Sequence, residues 1–201
     1  FSSRHEICCV ITGPDRKAGR NQNMRSSAVK TAALSCKLPV LQPENLNSTE
    51  FIAELAAYKP EIGIVVAYRI LPQEVFAIPP KGCVNLHPSL LPDLRGAAPI
   101  NWALIRGYRK SGITTFLIKK RVDTGSILAQ ETVDIFPEDN AGSLSKRLAS
   151  RGAELMLETL DKIGAGKLMP TPQTGEPTHA PKITDDTCLI HWNLPAPDIN
   201  N

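Results

Sequence analysis

The stretch EIGIVVAY, from Glu61 to Tyr68, is a continuous apolar run of the length of one β-strand. Such a run is typical of a strand in a parallel sheet that is covered on both faces. Before it, residues 48–59 begin with a helix-capping serine and repeat their apolar positions with helical spacing. Strands that alternate with helices predict an α/β fold, with an open, mostly parallel, twisted sheet flanked by helices in a Rossmann-like arrangement.

The alternation continues along the chain. We expect strands at residues 6–12, 83–87, 112–120 and 126–135, and helices at residues 26–36, 99–106 and 141–163. From residue 167 the chain becomes rich in proline and threonine, which is typical of a linker. We therefore predict a catalytic domain at residues 1–166 and a linker at residues 167–201.

The composition excludes several other classes of protein. With 42% apolar and 21% charged residues, the 201-residue chain has an ordinary globular composition and room for one buried domain with a short appendage. No apolar run approaches the ~20 residues of a membrane-spanning helix. The five cysteines show no metal-ligand spacing, so we expect reduced thiols and no metal ion.

Two polar side chains occupy the end of the strand CVNLH, from Cys83 to His87. Because side chains alternate along a strand, Asn85 and His87 share one face with Cys83. Ligands of open α/β sheets bind at the carboxyl ends of the strands, which gives Asn85 and His87 a functional position. A buried histidine that merely satisfies an amide partner would leave the same pattern. The Cys83 thiol fits packing better than nucleophilic catalysis.

If His87 acts as a general acid or base, a third polar group is needed beside it. Asp123, in the segment RVDTGSIL, is the best candidate, although a simple turn has the same composition. The intervening loop HPSLLPDLRG is stiffened by Pro88 and Pro92, and the GAAP segment from Gly96 permits close backbone approach.

Basic residues cluster near the start of the chain, although the formal net charge is only +3. A solvated loop explains such a cluster, and so does an arm that contacts phosphates. The residues are Arg16, Lys17, Arg20 and Arg25.

The segments NLHPSLLPDLRGAAPINWALIRG and SGITTFLIKKRVDTGSILAQ, with VITGPDRKAGRNQ and VVAYRILP, resemble the formyltransferase family that uses 10-formyltetrahydrofolate. The resemblance covers nearly the whole chain, and its most specific part is N-x-H-x-S-L-L-P followed by D-x-G. Within the family the chain is most similar to the branch that acts on methionyl-tRNA, because RGAAPI is more typical of that branch than of enzymes acting on glycinamide ribonucleotide. Arg69 stands where many members have glycine.

The resemblance implies that Asn85, His87 and Asp123 are catalytic. Asn85 and His87 would donate hydrogen bonds to the formyl oxygen of the folate, and Asp123 would orient His87 and help remove the amine proton through a water. The implied folate pocket is lined by Ala67, Tyr68, Ile70, Leu71, Ser89, Leu90, Leu91 and Pro92. The implied contacts to initiator methionyl-tRNA come from Arg16, Lys17, Arg20 and Arg25.

Other functions stay open at this point. An amino sugar nucleotide is the second candidate acceptor, and glycinamide ribonucleotide is the third. An inactive module that binds folate or RNA is the alternative outside enzyme chemistry. Because family members have a strand and a helix before the segment matching residues 2–12 and a β-barrel domain after the linker, we expect a fragment of a longer protein. We expect a monomer without membrane contact, in the bacterial cytoplasm or, as second choice, in an organelle matrix.

Overall fold

The computed structural model describes residues 5–18 and 23–200. The chain divides into two compact units, one formed by residues 1–63 and 68–83 and the other by residues 64–67 and 84–201. Each unit has its own apolar cluster. The second unit carries the polar strand end that the sequence singles out.

The first unit is built from short elements. Its elements are β1 (Val10–Ile11), β2 (Arg16–Ala18), β3 (Asn23–Arg25), α1 (Ala28–Ser35), β4 (Val40–Leu41), α2 (Thr49–Ala57) and α3 (Gln73–Phe76). β1 pairs with β4 in parallel, and β2 pairs with β3 in antiparallel. The Ser48 side chain accepts a hydrogen bond from the Phe51 amide and caps α2, as the sequence predicts. The core consists of Leu41, Leu46, Phe51, Leu55 and Val75.

The second unit contains a four-stranded sheet and the longest helix. The sheet has the order β5 (Gly63–Val66), β6 (Cys83–His87), β8 (Lys110–Leu117) and β9 (Ile127–Asp134). The other elements are β7 (Arg95–Gly96), α4 (Pro99–Ile105), α5 (Ala141–Gly164), β10 (His179–Ala180) and α6 (Ala196–Asn200). β6 has the bounds that the sequence predicts.

The α/β fold class is confirmed, but the strand directions differ from a mostly parallel sheet. β6 runs antiparallel to β8, and β8 runs antiparallel to β9. The short segment between β8 and β9 explains the second pairing, because only antiparallel neighbours can be joined without a long crossover. Two short pairs, β1 with β4 and β7 with β10, are parallel.

The prediction that β5 is covered on both faces is wrong. Ile64 and Val66 are 49% and 55% exposed, whereas Val65 between them is half-buried. β5 lies at one end of the strand order, and its alternate side chains face away from the packed layer. An apolar run therefore did not distinguish a strand covered on both faces from one covered on a single face.

Helix α5 covers the sheet with one apolar stripe. Leu144, Leu148, Leu155 and Leu160 are buried, in line with their helical spacing in the sequence. Gly152 lies within this stripe, and a β-carbon there would come within 2.7 Å of the Leu86 side chain. Leu86 therefore faces α5, on the side of β6 opposite to Asn85 and His87.

An ion pair between Asp139, just before the N-terminus of α5, and Arg147 within the helix gives a testable effect on stability. Asp139 accepts hydrogen bonds from the Arg147 guanidinium and from Ser143 Oγ. The guanidinium is the main reason that the pKa of Asp139 is lowered to about 2. A carboxyl group with a lowered native pKa stabilises the fold above its unfolded pKa of about 4, and this stabilisation is lost as the pH falls from about 4 to about 2.

We therefore expect Asp139→Asn to lower the free energy of unfolding by about 1 to 2 kcal/mol at pH 7. Thermal melts of the wild type and the variant should converge as the pH approaches 2. Glu138→Gln, at an exposed neighbour, is the matched control and should leave the melting temperature unchanged. A difference that persists undiminished at low pH would contradict the assignment to the Asp139 charge.

Within the described residues, no helix is both long enough and apolar enough to cross a bilayer.

Candidate active site

Asn85 lies near the carboxyl end of β6, opposite Phe116 of β8. Its side chain is half-buried, and no hydrogen-bond partner for its amide exists among residues 5–18 and 23–200. Two N–H donors and one carbonyl acceptor are therefore available to a ligand at this strand end.

His87 is buried two residues further along the same face. Its Nε2 lies 2.9 Å from the carbonyl oxygen of Leu94. Because a carbonyl only accepts, Nε2 carries the proton in this contact. Nδ1 lies 3.8 Å from Oδ2 of Asp123, which is too long for a direct hydrogen bond.

Asp123 is held by backbone rather than by another side chain. Its Oδ2 accepts a hydrogen bond from the Gly96 amide at 2.9 Å, and its Oδ1 accepts none from the described part of the chain. The residue has a φ of +52°, in the left-handed region that aspartate tolerates better than most residues. The turn therefore aims a nearly buried carboxylate at His87 and leaves one oxygen free.

Gly125 permits this turn. A β-carbon at Gly125 would lie 1.5 Å from the carbonyl oxygen of Leu117, a separation that no side chain can occupy. The glycine of the D-x-G motif is thus required by the close approach of the turn to the end of β8.

The structure brings together the three predicted catalytic residues in the second unit, although their roles remain predictions. The backbone groups that support them, the Leu94 carbonyl and the Gly96 amide, were not identified from the sequence. The predicted close approach of the backbone at GAAP is confirmed: Gly96 has a φ of +126°, and a β-carbon there would lie 2.6 Å from the Ala180 carbonyl oxygen.

The predicted folate-binding loop is itself tightly bonded. Ser89 Oγ donates to the Asp93 carbonyl at 2.5 Å, and the Ser89 carbonyl accepts from Thr114 Oγ1 at 2.7 Å. Leu91 is buried at 3% exposure, whereas Leu90 and Pro92 are half-buried. The Ser89 side chain therefore stabilises the loop, and the Leu91 side chain is buried. Leu90 and Pro92 are the loop side chains that a ligand can contact.

The second predicted folate-binding segment is divided between the two units. Ala67 belongs to the second unit and has a φ of +47°, whereas Tyr68, Ile70 and Leu71 belong to the first. Tyr68 and Leu71 pack against the core of the first unit, and Ile70 is 76% exposed. Their contribution to a folate pocket stays a prediction.

Arg69 has a structural role in this segment. Its guanidinium donates to the carbonyl oxygens of Pro43 and Glu44 at 2.7 and 3.0 Å and to the Tyr68 hydroxyl at 3.0 Å. It therefore connects the segment to the loop after β4.

Three residues of the basic cluster lie on the paired strands β2 and β3. Arg16 and Arg25 are directly opposite each other, and both are exposed, as is Lys17. Like charges opposite each other destabilise a strand pair unless an anion neutralises them. None of these three side chains has an acidic partner in the described residues. Arg20 lies outside the described residues.

Cys83 shares the face of Asn85 and His87, and burial raises the pKa of its thiol to about 11. At pH 7 the thiol form therefore predominates, which argues against an activated nucleophile. We expect iodoacetamide at pH 7 to alkylate the exposed Cys36 and Cys188 in the native protein and to spare Cys83. Mass spectrometry of the labelled peptides checks this, and rapid labelling of Cys83 would contradict it.

No cluster of histidine, cysteine and carboxylate side chains suited to a metal ion occurs in the part of the chain that the structure describes.

A family model described as formyl transferase matches residues 2–160. The chain belongs to the formyl transferase family. This confirms the family predicted from the N-x-H-x-S-L-L-P and D-x-G motifs.

Two curated relatives carry the name methionyl-tRNA formyltransferase. The protein from Thermodesulfovibrio yellowstonii is 48% identical over 202 aligned residues, and the protein from Caldanaerobacter subterraneus is 45% identical over 204. Both alignments include the whole of this chain and 66% of the relative, so the chain spans about two thirds of their length. A crystal structure of HypX from Aquifex aeolicus in complex with tetrahydrofolic acid superposes with a TM-score of 0.68 and 25% identity, covering 84% of this chain and 30% of HypX.

Proposed function

We propose that this formyl transferase moves the formyl group of 10-formyltetrahydrofolate to the α-amino group of methionyl-tRNA, for the initiation of translation. The observation that carries the proposal is the similarity of the whole chain to two relatives named for this reaction. The free amide of Asn85 beside the His87 and Asp123 pair supports it, because these are the groups that the reaction requires.

Asn85 stabilises the charge that develops during the transfer. The amine nitrogen attacks the formyl carbon, and the electrons of the carbonyl bond move to the formyl oxygen. A side-chain amide N–H that has no other partner in the described chain can donate to this oxygen. Collapse of the tetrahedral intermediate breaks the bond to N10 of the folate, which leaves as the amine once it has gained a proton.

Proton movement is assigned to His87 and Asp123. The attacking amine must lose a proton, and Oδ1 of Asp123 is the carboxylate oxygen without a protein partner in the described chain. It can accept that proton through a water. His87 Nε2–H donates to the Leu94 carbonyl in this geometry, so donation to the formyl oxygen requires the ring to exchange this partner when substrates bind.

The two substrates are assigned to different surfaces. Leu90, Pro92 and Ala67 of the second unit form the proposed contacts to the folate. Arg16, Lys17, Arg20 and Arg25 form the proposed contacts to the acceptor end of the tRNA. The position of Arg16 opposite Arg25 supports the proposed tRNA contact, since a phosphate would relieve the repulsion between the two guanidinium groups.

Acceptor specificity tests the proposal. The full-length protein and 10-formyltetrahydrofolate should be incubated with initiator methionyl-tRNA, a UDP-linked amino sugar or glycinamide ribonucleotide. We expect formylation of the methionyl-tRNA alone, with an apparent affinity that falls steeply as salt rises from 50 to 200 mM. Formylation of the amino sugar in preference to the tRNA would contradict the proposed acceptor substrate but not the proposed formyl-transfer chemistry.

We further propose that the protein acts as a monomer in the bacterial cytoplasm. Both relatives described above come from bacteria, which supports the location. Sedimentation equilibrium tests the oligomeric state.

A further inference from the structure

The segment from residue 171 to residue 181, within the predicted linker, is hydrogen-bonded to the loops that surround the catalytic residues. His179 and Ala180 form β10, which pairs with β7. The Thr171 amide and carbonyl bond to Ile127 at 2.8 Å each. Trp102 Nε1 donates to the Pro181 carbonyl at 2.8 Å. We call residues 171–181 the strap.

Gln173 is the strap residue that reaches the D-x-G turn. Its Nε2 donates to the carbonyl oxygens of Asp123 at 2.9 Å and Gly125 at 2.8 Å. Its Oε1 accepts from Arg95 Nε at 3.1 Å and from Arg95 Nη2 at 2.6 Å. Both N–H donors of the Gln173 side-chain amide therefore bond to the D-x-G turn. Its oxygen accepts both hydrogen bonds from the Arg95 guanidinium.

These contacts connect the supports of two catalytic side chains. Arg95 lies between Leu94, whose carbonyl holds His87, and Gly96, whose amide holds Asp123. Asp123 and Leu94 both have positive φ angles, of +52° and +57°. Such conformations persist when surrounding bonds fix them. The side chain of Gln173 supplies bonds to both loops at once.

We propose that Gln173 is a positioning residue for formyl transfer, which fixes the Asp123 carboxylate relative to His87 by joining the D-x-G turn to Arg95 of β7. The expected effect on kcat rests on the proposed function. The expected effect on the position of Asp123 rests on the geometry alone. Misplacing a catalytic group by about 1 Å lowers rates by about 10²-fold. Gln173 therefore contributes to kcat without touching the substrates.

Three variants of the full-length protein test this. Gln173→Ala removes both sets of bonds. Gln173→Glu keeps an acceptor for Arg95 but brings carboxylate oxygens to the two carbonyls of the turn, where no bond can form. Trp102→Phe is the matched control, because it removes a hydrogen bond to the strap at Pro181 and leaves the D-x-G turn untouched.

Amide hydrogen exchange at Gly96 is the first readout, since this amide donates to Asp123 Oδ2. We expect at least a tenfold faster exchange in Gln173→Ala and Gln173→Glu, and a change of less than twofold in Trp102→Phe. The second readout is kcat for formyl transfer. It should fall about 10- to 100-fold in both Gln173 variants, with the KM for each substrate within about threefold of the wild type.

Unchanged Gly96 exchange in Gln173→Ala would overturn the inference, as would faster exchange with an unchanged kcat. Equal effects of Trp102→Phe would overturn it too, because they would assign the effect to the strap as a whole. If wild-type protein failed to formylate methionyl-tRNA, the proposed function would fall, and the Gly96 exchange would still decide whether Gln173 positions Asp123.

Discussion

Asn85→Ala is expected to lower kcat for formyl transfer by about 10² to 10³-fold, since that is the usual effect of removing one preorganised donor to a developing oxyanion. The Kd for 10-formyltetrahydrofolate should change little, because the charge that the amide stabilises arises only in the transition state. Single-turnover kinetics at saturating substrates, with folate binding measured separately by fluorescence, checks both numbers.

Asn85→Asp sharpens this test. The carboxylate keeps the shape of the amide but has no N–H to donate, so it should be at least as slow as the alanine variant. Asn101→Ala, at an exposed asparagine on α4, is the matched control and should keep wild-type kinetics. An Asn85→Asp variant with wild-type kcat would show that this side chain does not donate to the formyl oxygen.

Gly125→Ala is expected to have the second large effect. The added methyl would overlap the Leu117 carbonyl oxygen, so the turn must move, and with it Asp123. We expect the free energy of unfolding to fall by about 3 kcal/mol. We also expect the surviving folded protein to lose at least 10²-fold in kcat. Denaturant titration and steady-state assays measure these two consequences.

Gly164→Ala is the control for this change. It lies at the last residue of α5, and a β-carbon there meets no atom within 4 Å. Its stability should be equal to or slightly above that of the wild type, by up to about 1 kcal/mol. If Gly125→Ala were as stable and as active as Gly164→Ala, the close packing of the D-x-G turn against β8 would be contradicted.

The parts of the site that follow local rules could be predicted from the sequence. Alternation along β6 placed Asn85 and His87 on one face, and the capping serine located the start of α2. Strand direction was not predictable in the same way, because apolar periodicity is the same in parallel and antiparallel neighbours. The antiparallel β6–β8 pair is therefore a finding of the structure alone.

The hydrogen bonds that hold the candidate catalytic residues in place could not be predicted from the sequence, for a related reason. Gln173 reaches a carbonyl 50 positions earlier in the chain, and the partner atoms are backbone atoms that every residue has. Its neighbours in sequence are prolines and threonines, a composition that predicts a linker. Contacts between such a segment and a distant backbone leave no periodic signal, so only the fold reveals them.

Formyl transfer from 10-formyltetrahydrofolate to initiator methionyl-tRNA, measured for the wild type and His87→Ala side by side, tests the central claim most directly. With a radiolabelled formyl group and full-length protein, we predict stoichiometric labelling of the tRNA by the wild type and a rate at least 10³-fold lower in the variant. Wild-type protein that leaves methionyl-tRNA unlabelled, or a His87→Ala variant that labels it at the wild-type rate, would contradict the account.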